Sequence, residues 1–343
     1  MNKILNLLDD KYVKKIFIDQ FLPLHPEIIG IKLIKPIFHK KMIWESTYHV
    51  VLEFKTTVVY EDKTEETFPI FCSAHSNEER RNVYNVLHYL WSKEFVNDSF
   101  TLPKPLFYDE ELRGIFYRGV EGETLLYYLK HKELEEVKDL VKKTAHLFAR
   151  LHKIDIFGAY NFNTINAEIK TVVPGIDYIF SEINSRYQGQ YDSIIQKYYQ
   201  KFITTEEYFL NNSERCIVHG DAHPENVIKV NDKQIALIDF TDMHLGDFTR
   251  DLGSFLQQIG YKIGRNFNNP DLAISVQTFF LQEYLQVSDK KLNEELKQRI
   301  ENYYHWTAMR TATYFLLNHN PDHKRAEAFF KEIDSGRPAC LNF

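Results

Sequence analysis

Cysteine, long apolar runs and basic clusters are all scarce in this chain, and each scarcity removes a class of protein. The three cysteines, Cys72, Cys216 and Cys340, are odd in number and lack the Cys-x-x-Cys or Cys/His spacing of a zinc site or a disulfide framework. A reducing compartment is therefore expected. No stretch approaches the roughly 20 apolar residues of a membrane span, and the N-terminus "MNKILNLLDDKYVKK" meets acids before any signal-length apolar run. Both features point to a cytoplasmic protein without a membrane partner. The formal net charge is -6 and no basic stretch stands clear of the surrounding acids, which argues against a nucleic-acid surface. Internal repeats and low-complexity segments are absent as well. The length, 343 residues, suits two lobes.

What is present reads as sheet first and helices afterwards. Residues 31–72 alternate or cluster β-formers in "IKLIKPIF", "TYHVVLEF", "TTVVY" and "TFPIFC", which predicts an antiparallel meander. "SNEERRNVYNVLHYLW" follows, with Ser76 and Glu79 spaced as a capping box and Val83, Leu87 and Leu90 at helical spacing. "PLFYDEELRGIFYRGVEGETL" predicts two short strands around a turn, leaving through Gly119 and Gly122 into a helical region. The expected architecture is α+β: an N-terminal lobe over 1–118, with a small antiparallel sheet and one main helix, and a larger, mainly helical lobe over 119–343.

The chemistry concentrates in "CIVHGDAHPENVIKVNDKQIALIDF", residues 216–240. "CIV" suits a buried strand, "HGDAHPEN" a loop, and "VIKV" and "IALID" a hairpin turning on Asn231 and Asp232. Asp221 and Asn226 share the loop and Asp239 ends the second hairpin strand. A carboxamide and a carboxylate are hard oxygen ligands suited to magnesium, and a further carboxylate can take the proton of an attacking hydroxyl. Phosphoryl transfer needs that combination.

The spacing of His219, Asp221 and Asn226 is that of the protein-kinase catalytic loop, with Gly220 in place of its arginine. HGDxHxxN, then Ile-Asp, then "GDFTRDLG" resembles the aminoglycoside phosphotransferase and choline kinase group of small-molecule kinases. "VEGETL" and "LFARLHKID" extend the resemblance, which is strongest from 216 to 254. It implies a two-lobed protein-kinase-like fold, ATP (GTP remaining possible) with magnesium, and a small hydroxylated substrate. It further implies Asp221 as catalytic base, Asn226 and Asp239 as magnesium ligands, and the hinge backbone near Tyr117, Arg118 and Val120 as the adenine site. His219 supports the loop in this reading, His223 positions it or touches phosphate, Asp242 adds a metal contact, and Asp251 bonds loop backbone.

Two expected parts are missing. The loop "FHKKMIWESTYHV" has no glycine with which to cover phosphates, although Ser46 and Thr47 offer donors. The strand lysine of the resembled family should fall near Cys72 or Ser73, and none is there. Lys55, Lys40 and Lys41 are the candidate replacements. Two functions follow: an active phosphotransferase, favoured by the retained base and metal ligands, or a catalytically silent nucleotide-binding regulator, favoured by the missing lysine. The acceptor pocket is expected from the helices after 250 and an insert over 161–193, where Asp177 or Glu182 can receive a cationic substrate.

Overall fold

The computed structural model describes residues 2–157, 159, 162–212 and 214–343; Asn161, the first residue of the insert, lies outside them. The chain divides into two compact units, Met1–Glu121 with Ala236–Thr241, and Gly122–Ile235 with Asp242–Phe343. Segment 236–241, which carries Asp239, thus belongs with the first unit.

In the first unit, helix α1 (Asp10–Ile16) precedes strands β1 (Ile28–Ile43), β2 (Tyr48–Tyr60) and β3 (Glu65–His75), helix α2 (Arg81–Ser92), and strands β4 (Phe100–Thr101), β5 (Lys104–Asp109) and β6 (Gly114–Arg118). Five of these strands form one antiparallel sheet in the order β1-β2-β3-β6-β5. Side chains alternate across a pleated strand, and the burial follows. Tyr48, Val50, Leu52 and Phe54 of β2 and Phe68, Ile70, Cys72 and Ala74 of β3 are buried, while the residues between them are less so.

What covers the buried face is the N-terminal segment, through Ile4, Leu7, Val13, Phe17 and Phe21. Phe17 meets Phe54 and Phe116 edge-on, with centroids 5.5 and 6.1 Å apart, a favoured aromatic geometry. The opposite face carries His49, Val51, Glu53 and Lys55 of β2, paired in register with His75, Ser73, Phe71 and Pro69 of β3. Function is free to use that face because the core does not.

α2 buries Val83, Val86, Leu87 and Leu90, as the periodicity predicts. Its expected capping box does not form. The helix begins at Arg81 with Arg80 at the N-cap, and no side chain caps it. The Ser76 hydroxyl instead accepts the Tyr48 N–H at 3.1 Å, and Glu79 pairs with Arg113 at 2.8 Å. Strand closure takes precedence over helix capping here.

The second unit begins at Gly122, whose φ of 144° and the Lys229 carbonyl, 2.1 Å from where a Cβ would sit, leave room only for glycine. Strand β7 (Glu123–Thr124) follows, then helices α3 (Leu125–His131), α4 (Leu134–His152), α5 (Ile176–Tyr187) and α6 (Asp192–Asn212). Next come β8 (Cys216–Val218), β9 (Val227–Lys229), β10 (Ile235–Leu237), of which only Ile235 belongs to this unit, and β11 (His244–Gly246), and helices α7 (Thr249–Phe267), α8 (Pro270–Ser288), α9 (Glu294–Leu317) and α10 (His323–Asp334). β8 pairs with β11 and β7 with β9, both antiparallel. Asn231 makes the expected turn, its Oδ1 accepting from Lys233 and Gln234 N–H at 2.9 Å. Among the described residues, no helix is long and apolar enough to cross a membrane.

α7 lies against α9 at Gly253, where a Cβ would meet Tyr304 N at 2.6 Å and Ile300 O at 2.7 Å, both backbone atoms. Gly264, in the same helix, has nothing within 4 Å. Gly253→Ala should therefore cost about 1–3 kcal/mol through overpacking, whereas Gly264→Ala should gain up to about 1 kcal/mol from helix propensity. Urea unfolding of both variants checks the pair, and equal effects would mean that α7 and α9 do not approach this closely.

Candidate active site

β8 delivers His219 to a loop that is shaped by one carboxylate. Asp251, fully buried in the first turn of α7, accepts the N–H of His219 at 2.8 Å on Oδ2 and that of Gly220 at 2.9 Å on Oδ1. His152, at the end of α4, reaches Asp251 Oδ2 at 3.0 Å through Nε2 and Tyr284 Oη at 2.9 Å through Nδ1. Burial alone would raise the Asp251 pKa, but the His152 contact outweighs it and keeps the carboxylate ionised. The expectation that Asp251 bonds loop backbone is met.

Gly220 has φ 84°, and a Cβ there would lie 2.4 Å from the Asp242 carbonyl. That excludes the arginine that protein kinases carry at this place. Arg250 serves the loop instead, donating to the Gly220 carbonyl at 3.3 Å from beside the Trp306 ring. His244 also joins, its Nδ1 2.7 Å from Asp242 O.

Asp221 and Asp242 are driven apart as acids. Burial works against ionisation of Asp221, yet His223, 3.3 Å away, with Arg310 and His219, holds its pKa below the usual carboxylate range. Asp242 is raised by burial and by the Asp221 charge, against the opposing pull of Arg310, Arg250 and an Asn166 amide at 2.6 Å. One ionised and one proton-favouring carboxyl in a single site is the usual signature of divided acid and base roles, or of a cation's place. The Asn226 amide donates to the Asp221 carbonyl at 2.9 Å. An amide oxygen is a hard donor of the kind magnesium takes.

In the first unit Asp239 stands at φ 61°, a left-handed conformation uncommon outside glycine. Its Oδ1 accepts the Thr241 hydroxyl at 2.9 Å, and Asn82 holds the Thr241 carbonyl at 3.1 Å. Among the described residues no three His, Cys, Asp or Glu side chains form a metal cluster.

The residues expected at the nucleotide behave differently from one another. The Gly119 N–H donates to Pro69 O at 3.2 Å, so a base bound at the hinge is read by its other atoms. Phe71 and Tyr117 stack at 5.6 Å and 9°, a flat aromatic surface beside that hinge. Arg118 pairs with Glu66 at 2.9 Å. The glycine-free loop is a tied turn: Trp44 N–H bonds Thr47 O at 2.9 Å and the Asn2 amide bonds the same oxygen at 3.0 Å. Ser46 is exposed on it and Thr47 half-buried. Lys55 is exposed six residues along β2 from His49, about 20 Å at the strand rise, and Lys41 lies over Phe38. Of the acids considered for substrate, Glu182 pairs with Arg186 at 3.0 Å and Asp177 sits in the first turn of α5. The sequence singles out none of His152, Arg250 and Arg310, although His152 lies in "LFARLHKID" and Arg250 in "GDFTRDLG".

Residues 59–284 match the phosphotransferase enzyme family. Solved structures share the fold across nearly the whole chain. APH(2")-IIa in a ternary complex with streptomycin and ATP matches with a TM-score of 0.54 and 14% identity, over 97% of this chain and 98% of that one. An ethanolamine kinase of Plasmodium vivax matches with 0.55 and 15%, over 94% and 87%. Spectinomycin phosphotransferase, APH(9)-Ia, with ADP and spectinomycin, matches with 0.51 and 13%, over 96% of each. No curated protein matches the sequence.

Because the fold favours protonated Asp242, this residue stabilises the native state below the unfolded carboxylate pKa, near 4, and that contribution is lost as pH rises through its higher folded value. Without divalent ions, Asp242→Asn should raise the melting temperature over the parent at pH 8 and lose most of that gain at pH 4. The asparagine oxygen can still accept from Asn166. A melting temperature unchanged at pH 8 would contradict the raised acid.

Proposed function

The chain belongs to the phosphotransferase enzyme family and is a small-molecule kinase, and we propose that it transfers the γ-phosphate of ATP to a substrate hydroxyl with Asp221 as base. The observation that carries this reading is Asp221 itself, ionised beside His223 on a loop whose backbone is held by Asp251. An ionised carboxylate fixed in place can orient an acceptor hydroxyl and receive its proton. His223 orients that carboxylate, and His219 holds the loop.

Asn226 and Asp239 are the magnesium ligands in this reading, with Asp242 as an added contact; bound magnesium would neutralise charge on the transferring phosphate. The ATP and ADP in complexes of the similar structures support nucleotide use. GTP is compatible with backbone recognition at Tyr117, Arg118 and Val120. The first unit serves as the nucleotide lobe, with Ser46 and Thr47 at its phosphate end, and the second unit supplies catalysis and the substrate pocket. The acceptor is a small hydroxylated molecule, aminoglycosides and amino alcohols being the classes that the similar structures suggest. A cytoplasmic location agrees with the reduced cysteines.

Magnesium and ATP together, and neither alone, should raise the melting temperature, because a ligand of the folded state stabilises it by mass action. Asp221→Asn should keep that shift and lower turnover roughly a hundredfold or more. Asp239→Asn should reduce the shift itself. Thermal shift and ADP release over a panel of aminoglycosides, amino alcohols and sugars measure both. Nucleotide binding with no ADP release across the panel would favour the silent regulator, and no shift at millimolar Mg-ATP would exclude both functions.

A further inference from the structure

We propose that Arg80 binds the terminal phosphates of the nucleotide, from behind a recess of the first unit that His49 and His75 line. The inference rests on the nucleotide reading above and names the cation that the third strand does not supply.

Arg80 is 4% exposed, unusual for a guanidinium. Its Nη1 lies 3.4 Å from the Thr241 hydroxyl and 3.3 Å from Glu78, and its Nη2 lies 3.3 Å from His49 Nε2. Its Nε is buried with no partner among the described residues. The Glu78 carboxylate is 42% exposed, so it repays little of the cost of burying the charge. A staple between α2 and segment 236–241 would not explain this arrangement, since Asn82 already holds the Thr241 carbonyl. The guanidinium is under-compensated, and an anion would complete it.

The histidines are set to donate. Burial, with the charges of Lys40, Arg80 and His75, pushes His49 down to about 4, so it is neutral near pH 7. Arg80 can only donate, so His49 Nε2 accepts and its proton rests on Nδ1. His75 is also lowered, chiefly by burial, and its Nδ1 accepts the N–H groups of Asn77 at 3.1 Å and Glu78 at 2.9 Å, which leaves Nε2 protonated. The two rings meet at 4.5 Å and line an open recess of about 550 Å3 with Trp44, Thr47, Ser76 and Asn77. Two neutral N–H donors thus border a recess with a fixed positive charge behind one of them. Lys40, opposite Val51 on β1, is close enough to act on both rings. Through Thr241, which donates to Asp239, Arg80 is also one hydroxyl away from a proposed magnesium ligand. A phosphate chain carrying magnesium has one charge for Arg80 and one for Asp239.

The test is calorimetric titration of the full chain with Mg-ATP and with adenosine. A purely structural role would weaken both ligands together or neither. Arg80→Ala should weaken ATP about tenfold to a hundredfold, the scale of a lost charge-assisted contact, and leave adenosine within about twofold of the parent. If circular dichroism shows Arg80→Ala unfolded, Arg80→Gln, which keeps an N–H toward Thr241, carries the same expectation. A folded variant with the parental ratio of ATP to adenosine affinity would overturn this inference and leave the kinase reading standing. A parent that binds no Mg-ATP would overturn both.

Discussion

A single buried carboxylate, Asp251, holds the reactive part of the second unit together. It gathers two successive backbone N–H groups of the loop after β8 and the imidazole at the end of α4, from a position in the first turn of α7. Buried N–H groups left without acceptors cost about 1–3 kcal/mol each, and a buried charge without partners costs more. Three donors around one carboxylate satisfy all of these groups at once. The loop cannot move without breaking that arrangement, so His219, Gly220 and the residues after them start from a fixed backbone.

The fixed backbone then decides the electrostatics. With Gly220 left-handed and pressed on the Asp242 carbonyl, the Asp242 segment is brought against the loop, and its carboxyl responds to the Asp221 charge. His223 keeps Asp221 ionised, and Asp242 takes the cost of that charge as a raised pKa. The two shifts have different sources. Asp221 is held down chiefly by His223, two residues on, whereas Asp242 is raised by burial and by the charge of Asp221, about 20 residues away. This is why a carboxylate in a cleft is more informative with its partners than by its pKa alone.

Much of this was legible in the sequence, and the parts that were not share a cause. The meander, the α2 core positions, the turn at Asn231 and the catalytic-loop spacing all depend on residues near one another in the chain, and all were readable. The role of Asp251 was readable too, because a fixed motif placed it. What was missed depends on distant pairs. The N-terminal segment that covers the sheet has no motif, only Phe17 at the right distance from Phe54 and Phe116 and Phe21 from Phe68. Ser76 and Glu79 had the spacing of a capping box, but Tyr48 and Arg113 compete for them, and both lie far away in sequence. Local spacing cannot show a distant competitor.

The same limit applies to the phosphate cation. A search for a replacement lysine looks along the strands, where side chains at 69, 71, 73 and 75 share the face that the core leaves open. On that face Phe71 is committed to Tyr117, and Ser73 stands between Val51 and Ile115. Charge therefore has to arrive from outside the strand, and the turn after β3 is the nearest source, because His75 anchors it through two N–H bonds. Arg80 comes at the end of that turn, with its guanidinium against His49 and Thr241. A lysine there would present one point charge, whereas the guanidinium holds His49 and Thr241 through two nitrogens and keeps a third, Nε, unpaired. The geometry of the turn, more than the identity of the strand residue, decides where positive charge can enter this lobe.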